Sequence, residues 1–166
     1  MAATNRPTIQ LYTDGAASGN PGPGGYGVVL KCAGLRKELS AGFALTTNNR
    51  MELLAVIVGL EAILWNDAVV DVYSDSSYVV KAINEGWLAS WEARGWKKVK
   101  NVDLWTRFLP LYRSHQVTFH WLKGHAGHPE NERCDALAVD AGAGAVARGE
   151  TLPPDSGYEG EGNSIF

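Results

Sequence analysis

The run Val69-Val70-Asp71-Val72-Tyr73-Ser74 lies between two helical patterns, and no other feature constrains the fold as much. Its β-branched residues mark a buried strand. Before it, Asn49 to Leu64 carries apolar residues at Leu53, Ile57, Leu60 and Leu64. That spacing of i, i+4, i+7 and i+11 predicts a helix. After it, Ser76 to Asn84 predicts another helix. Thr8 to Thr13 alternates around Ile9 and Leu11 and reads as the first strand. Helical crossovers join parallel strands, so the first strand and the Val69 strand are expected to run parallel.

The remaining elements complete a mixed sheet. Tyr26 to Cys32 and Leu35 to Leu45 read as antiparallel strands joined tightly at Ala33-Gly34. A loop rich in glycine and proline, Gly15 to Gly25, precedes them. Val102 to Ser114 reads as a helix that Pro110 could kink. Val117 to Leu122 reads as the fifth strand. Pro129 to Ala147 reads as a helix with proline at its start and Glu130 and Glu132 in its first turn. The expected fold is α/β, a five-stranded mixed sheet flanked by helices. A single domain over residues 1–148 is expected, followed by an acidic tail over 149–166.

Composition excludes several classes. The longest apolar stretch, Leu53 to Leu60, is far shorter than a membrane span, so no membrane partner is expected. Met1 to Thr13 has no apolar core of a secretory signal. Cys32 and Cys134 are too few for a disulfide framework. A reduced, cytoplasmic, monomeric chain is expected. The net charge of −3 does not favour nucleic acid, but its distribution is uneven. Four of the 18 acids and no Lys or Arg lie in Gly149 to Phe166. Arg94 to Arg113 holds six bases against the single acid Asp103.

Asp14 closes the first strand and Asp75 the fourth. Ligands gather beyond the carboxyl ends of strands in such sheets, so two acids there could share one crevice. Glu52 and Asp135 hold border positions on their helices, between core and solvent. Each acid also has an ordinary structural reading. Asp14-Gly15 is a turn signal. Asn49 to Glu52 resembles a capping box with Asn49 as N-cap. Asp75 could cap a helix, and Asp135 could be solvated. Clustered carboxylates repel unless protonated or neutralised by a cation. Mg²⁺ prefers oxygen ligands, and carboxylates with a substrate phosphate suit it.

Five blocks stand in order along the chain: Thr13-Asp14-Gly15, Gly19 to Gly27, Thr47-Asn48-Asn49-Arg50-Met51-Glu52, Ser74-Asp75-Ser76, and Lys123 to Asp135. Together they resemble the bacterial type I ribonuclease H family, over roughly Ile9 to Ala147. The resemblance implies a ribonuclease H-like fold. It also implies endonucleolytic hydrolysis of the RNA strand of RNA–DNA hybrids, leaving 5′-phosphate and 3′-hydroxyl ends. Asp14, Glu52, Asp75 and Asp135 would be the catalytic carboxylates, holding one or two Mg²⁺ ions, with Mn²⁺ as a substitute. Two metals about 4 Å apart can activate a water and stabilise the leaving oxygen, so no side-chain nucleophile is needed. His125 would assist proton transfer or product release from a mobile loop. A zinc site from His125, His128 and Cys134 is a competing reading, but it lacks a fourth ligand at a familiar spacing.

The same resemblance suggests substrate contacts. Gly19 to Gly24 is followed by Gly25-Tyr26 and is not a P-loop. By the family pattern this loop lies along the minor groove, where ribose 2′-hydroxyls mark RNA. Asn20, Asn48 and Asn49 would contact the hybrid, and Thr47 would hold a DNA phosphate; turn and cap formation is the alternative. Trp87 is the tryptophan expected at the substrate, while Trp91, Trp96 and Trp105 suit a small aromatic core. Trp91 to Asn101 resembles the family's basic protrusion, with Lys97 and Lys98 toward substrate, but it is shorter and less basic. Glu92 and Ala93 stand where bases are common. The acidic tail and its terminal Phe166 are expected to dock on the body or on a neighbouring chain; a solvated tail is the alternative. Two rival functions remain at this point: a DNA exonuclease of the same fold, and a hybrid-binding module without catalysis.

Overall fold

A computed structural model describes residues 6–123 and 127–158. Five strands form one sheet: β1 (Thr8–Ala17), β2 (Gly22–Cys32), β3 (Leu35–Thr46), β4 (Val69–Ser74) and β5 (Gln116–Trp121). Their order is β3-β2-β1-β4-β5. The first three are antiparallel neighbours, while β1–β4 and β4–β5 are parallel. This is the mixed sheet expected from the crossover argument. The Gly15–Gly25 loop is shorter than expected, because β1 continues to Ala17 and β2 starts at Gly22.

The helices are α1 (Asn48–Glu61), α2 (Ser77–Asn84), α3 (Trp87–Ala93), α4 (Val102–Ser114), α5 (Pro129–Val139) and the short α6 (Ala145–Ala147). A π-helical turn, Asp140–Gly144, links α5 to α6. Pro110 lies inside α4 without ending it. Two cap expectations are corrected. The N-cap of α1 is Thr47, whose hydroxyl accepts the Arg50 N–H, and not Asn49. Ser76, not Asp75, caps α2 by accepting the Val79 N–H. Leu64 does not continue the buried stripe of α1. The helix ends at Glu61, and Leu64 is 96% exposed.

Alternation along the strands sorts the two layers. Leu11 faces α1 and is fully buried, with Val70, Val72, Met51, Leu53, Ile57, Trp105 and Phe108 in the same core. Close-packed burial of this kind supplies the main driving force, at about 25 cal/mol per Å² of apolar surface. The opposite face carries Tyr12, Tyr73 and His120, stacked with centroids 4.8 Å apart at each step. His120 Nε2 also meets Asp71 Oδ1 at 2.8 Å. His115 Nδ1 accepts from the Ala68 amide, a purely local tie. No helix among the described residues is long and apolar enough to cross a membrane.

Candidate active site

The register of the sheet brings the first two acids together. Tyr12 pairs with Tyr73 across β1 and β4. Asp14 and Asp75 lie two residues further along each chain, so alternation puts both on the face of the tyrosine stack. Asp75 follows the last residue of β4, whereas Asp14 does not close β1, which runs on to Ala17 along β2. Both acids stand just past the last parallel β1–β4 pair, where open sheets collect ligands.

Gly15 brings the third. A Cβ at this position would overlap the backbone at Met51 and Glu52. Only the missing side chain lets the first turn of α1 close onto the end of β1. Glu52 thereby reaches Asp14 and Asp75. One ligand oxygen from each of the three lies within 4.8 Å of the others, the one such acidic group among the described residues.

A second glycine places α5. Gly27 pairs with Asp14 across β1 and β2, and a Cβ there would overlap the Cys134 carbonyl. The next residue is Asp135. It stands outside the group of three, yet its charge helps raise the Asp14 pKa. His125 lies outside the described residues. His128 and Cys134 form no metal-ligand group among the described residues, and Cys134 is fully buried.

The cluster is electrostatically loaded. Burial, and then repulsion from Asp75, pushes Asp14 from its ordinary value near 3.8 up to about 7. Burial also lifts Glu52 well above the usual carboxylate range, reinforced by the charges of Asp14 and Asp75. The two carboxyls face each other across the Gly15 contact. Glu52 Oε1 is buried with no hydrogen-bond partner. Packed hard oxygen donors, excess negative charge and an orphaned buried oxygen fit a divalent cation such as Mg²⁺ or Mn²⁺.

Around this cluster the sequence-expected contact residues take varied places. Asn48 Oδ1 accepts the Ala17 amide at 2.6 Å, and Asn20 Oδ1 accepts the Asn48 amide at 2.9 Å. Both asparagines thus brace the β1–β2 loop against α1, while Asn49 is exposed beside them. Thr47 is occupied as the cap. Trp87, 40% exposed, opens α3, and its ring tilts against Trp91. Trp105 is fully buried, and Trp91 and Trp96 pack on the core. Lys97 and Lys98 are exposed in the turn after α3, and Glu92 is paired with Arg113.

Two features near the acids escaped the sequence reading. Trp121 Nε1 donates to the Asp75 carbonyl at 3.3 Å. Arg50, two residues before Glu52, is 2% exposed and holds Asp103 and Asp155. Its place inside a matched block was visible, but a buried cation has no periodic signature.

Comparison with known proteins agrees with this geometry. The RNase H family pattern matches residues 6–143. A ribonuclease H of Desulforamulus reducens is 59% identical over 157 residues, 92% of this chain and 95% of its own. One of Nitratidesulfovibrio vulgaris (strain Miyazaki F) is 57% identical over 155 residues, 90% of this chain and 96% of its own. Among solved structures, LC9-RNase H1, a type 1 RNase H with the type 2 active-site motif, superposes with a TM-score of 0.77. It is 32% identical, covering 86% of this chain and 75% of that one. LC11-RNase H1, solved in complex with RNA/DNA hybrid, gives 0.63 at 29% identity over 83% and 99% of the two chains. With a matching pattern over most of its length and relatives more than half identical to it, the chain belongs to the ribonuclease H family.

Proposed function

We propose that this protein is an endoribonuclease that hydrolyses the RNA strand of RNA–DNA hybrids with divalent-metal assistance, giving 5′-phosphate and 3′-hydroxyl ends. The observation that carries this reading is the convergence of Asp14, Glu52 and Asp75 to within 4.8 Å in a chain of this family. The hybrid bound to LC11-RNase H1 supports the choice of substrate. Asp14, Glu52, Asp75 and Asp135 would hold Mg²⁺, with Mn²⁺ as a substitute, one or two ions per site. When bound, the metal supplies an activated water and stabilises the leaving oxygen.

The chain's own residues supply the rest. Gly15 and Gly27 allow the carboxylates to converge before substrate arrives, so no reorganisation is needed at that moment. Burial and the charges of Asp14 and Asp75 raise the Glu52 carboxyl, and positive charge entering the site would lower it. The exposed Asn49, the braced Asn20 and Asn48, and Thr47 line the approach beside α1 and take the hybrid's minor groove and a DNA phosphate. Trp87, Lys97 and Lys98 contact the hybrid from the side of α3. His125 shuttles a proton or assists product release. We further assign residues 1–148 as the ribonuclease H domain, 149–166 as an acidic tail whose terminal Phe166 lies outside the described residues, and the chain as a cytoplasmic monomer.

A cleavage assay tests this reading. Labelled RNA–DNA hybrid, RNA duplex and DNA duplex are incubated with and without Mg²⁺, using the wild type and Asp14→Asn. Mg²⁺-dependent cleavage of the hybrid's RNA strand alone is expected, abolished by the substitution. Equal cleavage of DNA duplex would favour the exonuclease alternative. Binding without cleavage would leave only a hybrid-binding module.

A further inference from the structure

Arg50 is among the largest fully buried side chains of the protein, and all five of its N–H donors have acceptors. Nη1 and Nη2 donate to the two oxygens of Asp103 at 2.9 and 2.7 Å. Nε and Nη2 donate to Asp155 at 2.7 and 3.1 Å. The remaining Nη1 donor reaches Asn101 Oδ1 at 3.3 Å. Two carboxylates gripping one guanidinium in paired contacts is a geometry that fixes direction as well as charge.

Asp155 comes from the chain after α6, beyond the region the family pattern matches. It is anchored there by more than charge. The buried Thr46 donates its hydroxyl to Asp155 Oδ2 at 2.8 Å. The Ala44 amide donates to the Pro153 carbonyl at 2.8 Å, extending the edge of β3. Tyr158 lies with its ring 6.0 Å from the Arg50 guanidinium. A Cβ at Gly157 would overlap Asp103, so the segment presses directly on the clamp.

The other side of the clamp leads to the second acid-bearing element. Asn101 Nδ2 donates to the Tyr78 hydroxyl at 3.1 Å, and Trp105 Nε1 donates to the same oxygen at 2.8 Å. Tyr78 stands in the first turn of α2, three residues after Asp75. Arg50 stands in the first turn of α1, two residues before Glu52. A continuous chain of hydrogen bonds therefore runs from Asp155 through Arg50 and Asn101 to Tyr78. It spans the two helix starts on which Glu52 and Asp75 depend.

We propose that residues 153–158 form a strap that sets the spacing of the carboxylate cluster, with Asp155 and Arg50 as positioning residues for hybrid cleavage. The inference rests on the function proposed above. Loss of Asp155 leaves buried donors of Arg50 unpaired, and a buried cation missing one partner relaxes toward water. α1 then shifts against β1, and a displacement near 1 Å at a reacting site is enough to slow chemistry sharply.

The test uses the full chain, with Asp155→Ala, Asp155→Asn, Asp155→Glu and the control Asp140→Ala, which breaks an exposed pair with Arg148. Steady-state cleavage of hybrid is measured well below the melting midpoint of every variant. Thermal midpoints with and without Mg²⁺ are measured in parallel. Asp155→Ala is expected to lower kcat about tenfold while KM changes less than about twofold. The midpoint gain on adding Mg²⁺ shrinks in the same variant, Asp155→Glu recovers part of both, and the control changes neither. Asp155→Asn keeps the shape and the Thr46 contact, so it reports the effect even if the alanine variant folds poorly. A lower midpoint with unchanged kcat and an unchanged Mg²⁺ gain would show the strap to be merely structural. If the wild type fails to cleave hybrid, the functional reading falls, and the Mg²⁺ gain alone decides the strap.

Discussion

Asp14 and Glu52, brought together by Gly15, each place an oxygen within 4.8 Å of the other and of Asp75, and burial with the neighbouring negative charge raises both above the usual carboxylate range. The raised carboxyls explain how a metal-free cluster of acids can be buried in a folded chain. Protonation removes the repulsion, and a cation would replace the proton.

The first prediction concerns pH. Asp14 titrates at about 7 in the folded chain against an ordinary 3.8, and Glu52 is also raised. The folded state therefore binds more protons than the unfolded state between these values, and stability falls as pH rises through that window. Denaturant unfolding of metal-free protein should show a loss of about 2 kcal/mol between pH 5 and pH 8. Mg²⁺ should recover much of it at pH 8 and little at pH 5, because binding only the folded state stabilises it by mass action. A flat profile in the absence of metal contradicts the raised carboxyls.

Asp14→Asn separates stability from activity. Replacing a strained acid with its neutral isostere removes repulsion from Asp75 and Asp135. The metal-free variant should match or exceed wild-type stability at pH 8 and show a shallower pH slope, with burial and Asp75 still raising Glu52. Hybrid cleavage should fall by more than about a hundredfold, beyond what the loss of a metal's outer-shell partner causes. A variant that loses stability as well as activity would mean that Asp14 holds the fold rather than the reaction.

Gly15→Ala tests the close approach of α1. The added methyl collides with backbone at Met51 and Glu52, which cannot rotate away as a side chain could. The expected loss is about 1–3 kcal/mol, as for other overpacked sites. Cleavage should fall further than stability predicts, with the loss in kcat, because the shift moves Glu52 itself. Glu61→Ala, which breaks an exposed pair with Arg107 at the far end of α1, serves as the control for the helix.

The five strands and most helices were legible because their signals are local; α3 was not read as a helix, and the single helix expected over Pro129 to Ala147 is interrupted by the π-helical turn. The Val69–Ser74 run emerged with the bounds expected for it, and the parallel pairing followed from the crossover alone. Asp14 and Asp75 were legible as neighbours because each follows the parallel stretch by two residues, although β1 runs on to Ala17 and Asp14 does not close it. The caps were not. Thr47 and Asn49 are equally good N-cap residues, and only the hydroxyl contact to Arg50 distinguishes them. The Arg50 clamp was hidden more deeply. Asp103 and Asp155 lie 53 and 105 residues from Arg50, and no periodicity joins residues so distant. Docking of the tail was expected from its terminal Phe166, which lies outside the described residues. The contact the structure shows is instead Asp155, its side chain 9% exposed against Arg50, where one paired guanidinium outweighs its polarity.

The exposed lysines supply the last prediction. Lys97 and Lys98 sit in a short turn after α3 whose neighbours Glu92 and Ala93 add no positive charge, and Glu92 is already engaged by Arg113. If both lysines meet phosphates, each releases about one counterion on binding. Lys97→Ala with Lys98→Ala should then weaken hybrid affinity and flatten the slope of log K against log salt by roughly two units. The electrostatic contact is sequence-independent, so the weakening should be uniform across hybrid sequences. It should appear in KM, with kcat retained, because neither lysine is part of the acidic cluster. An unchanged salt slope in the double variant would remove this turn from the binding surface and leave the α1 side as the whole of it.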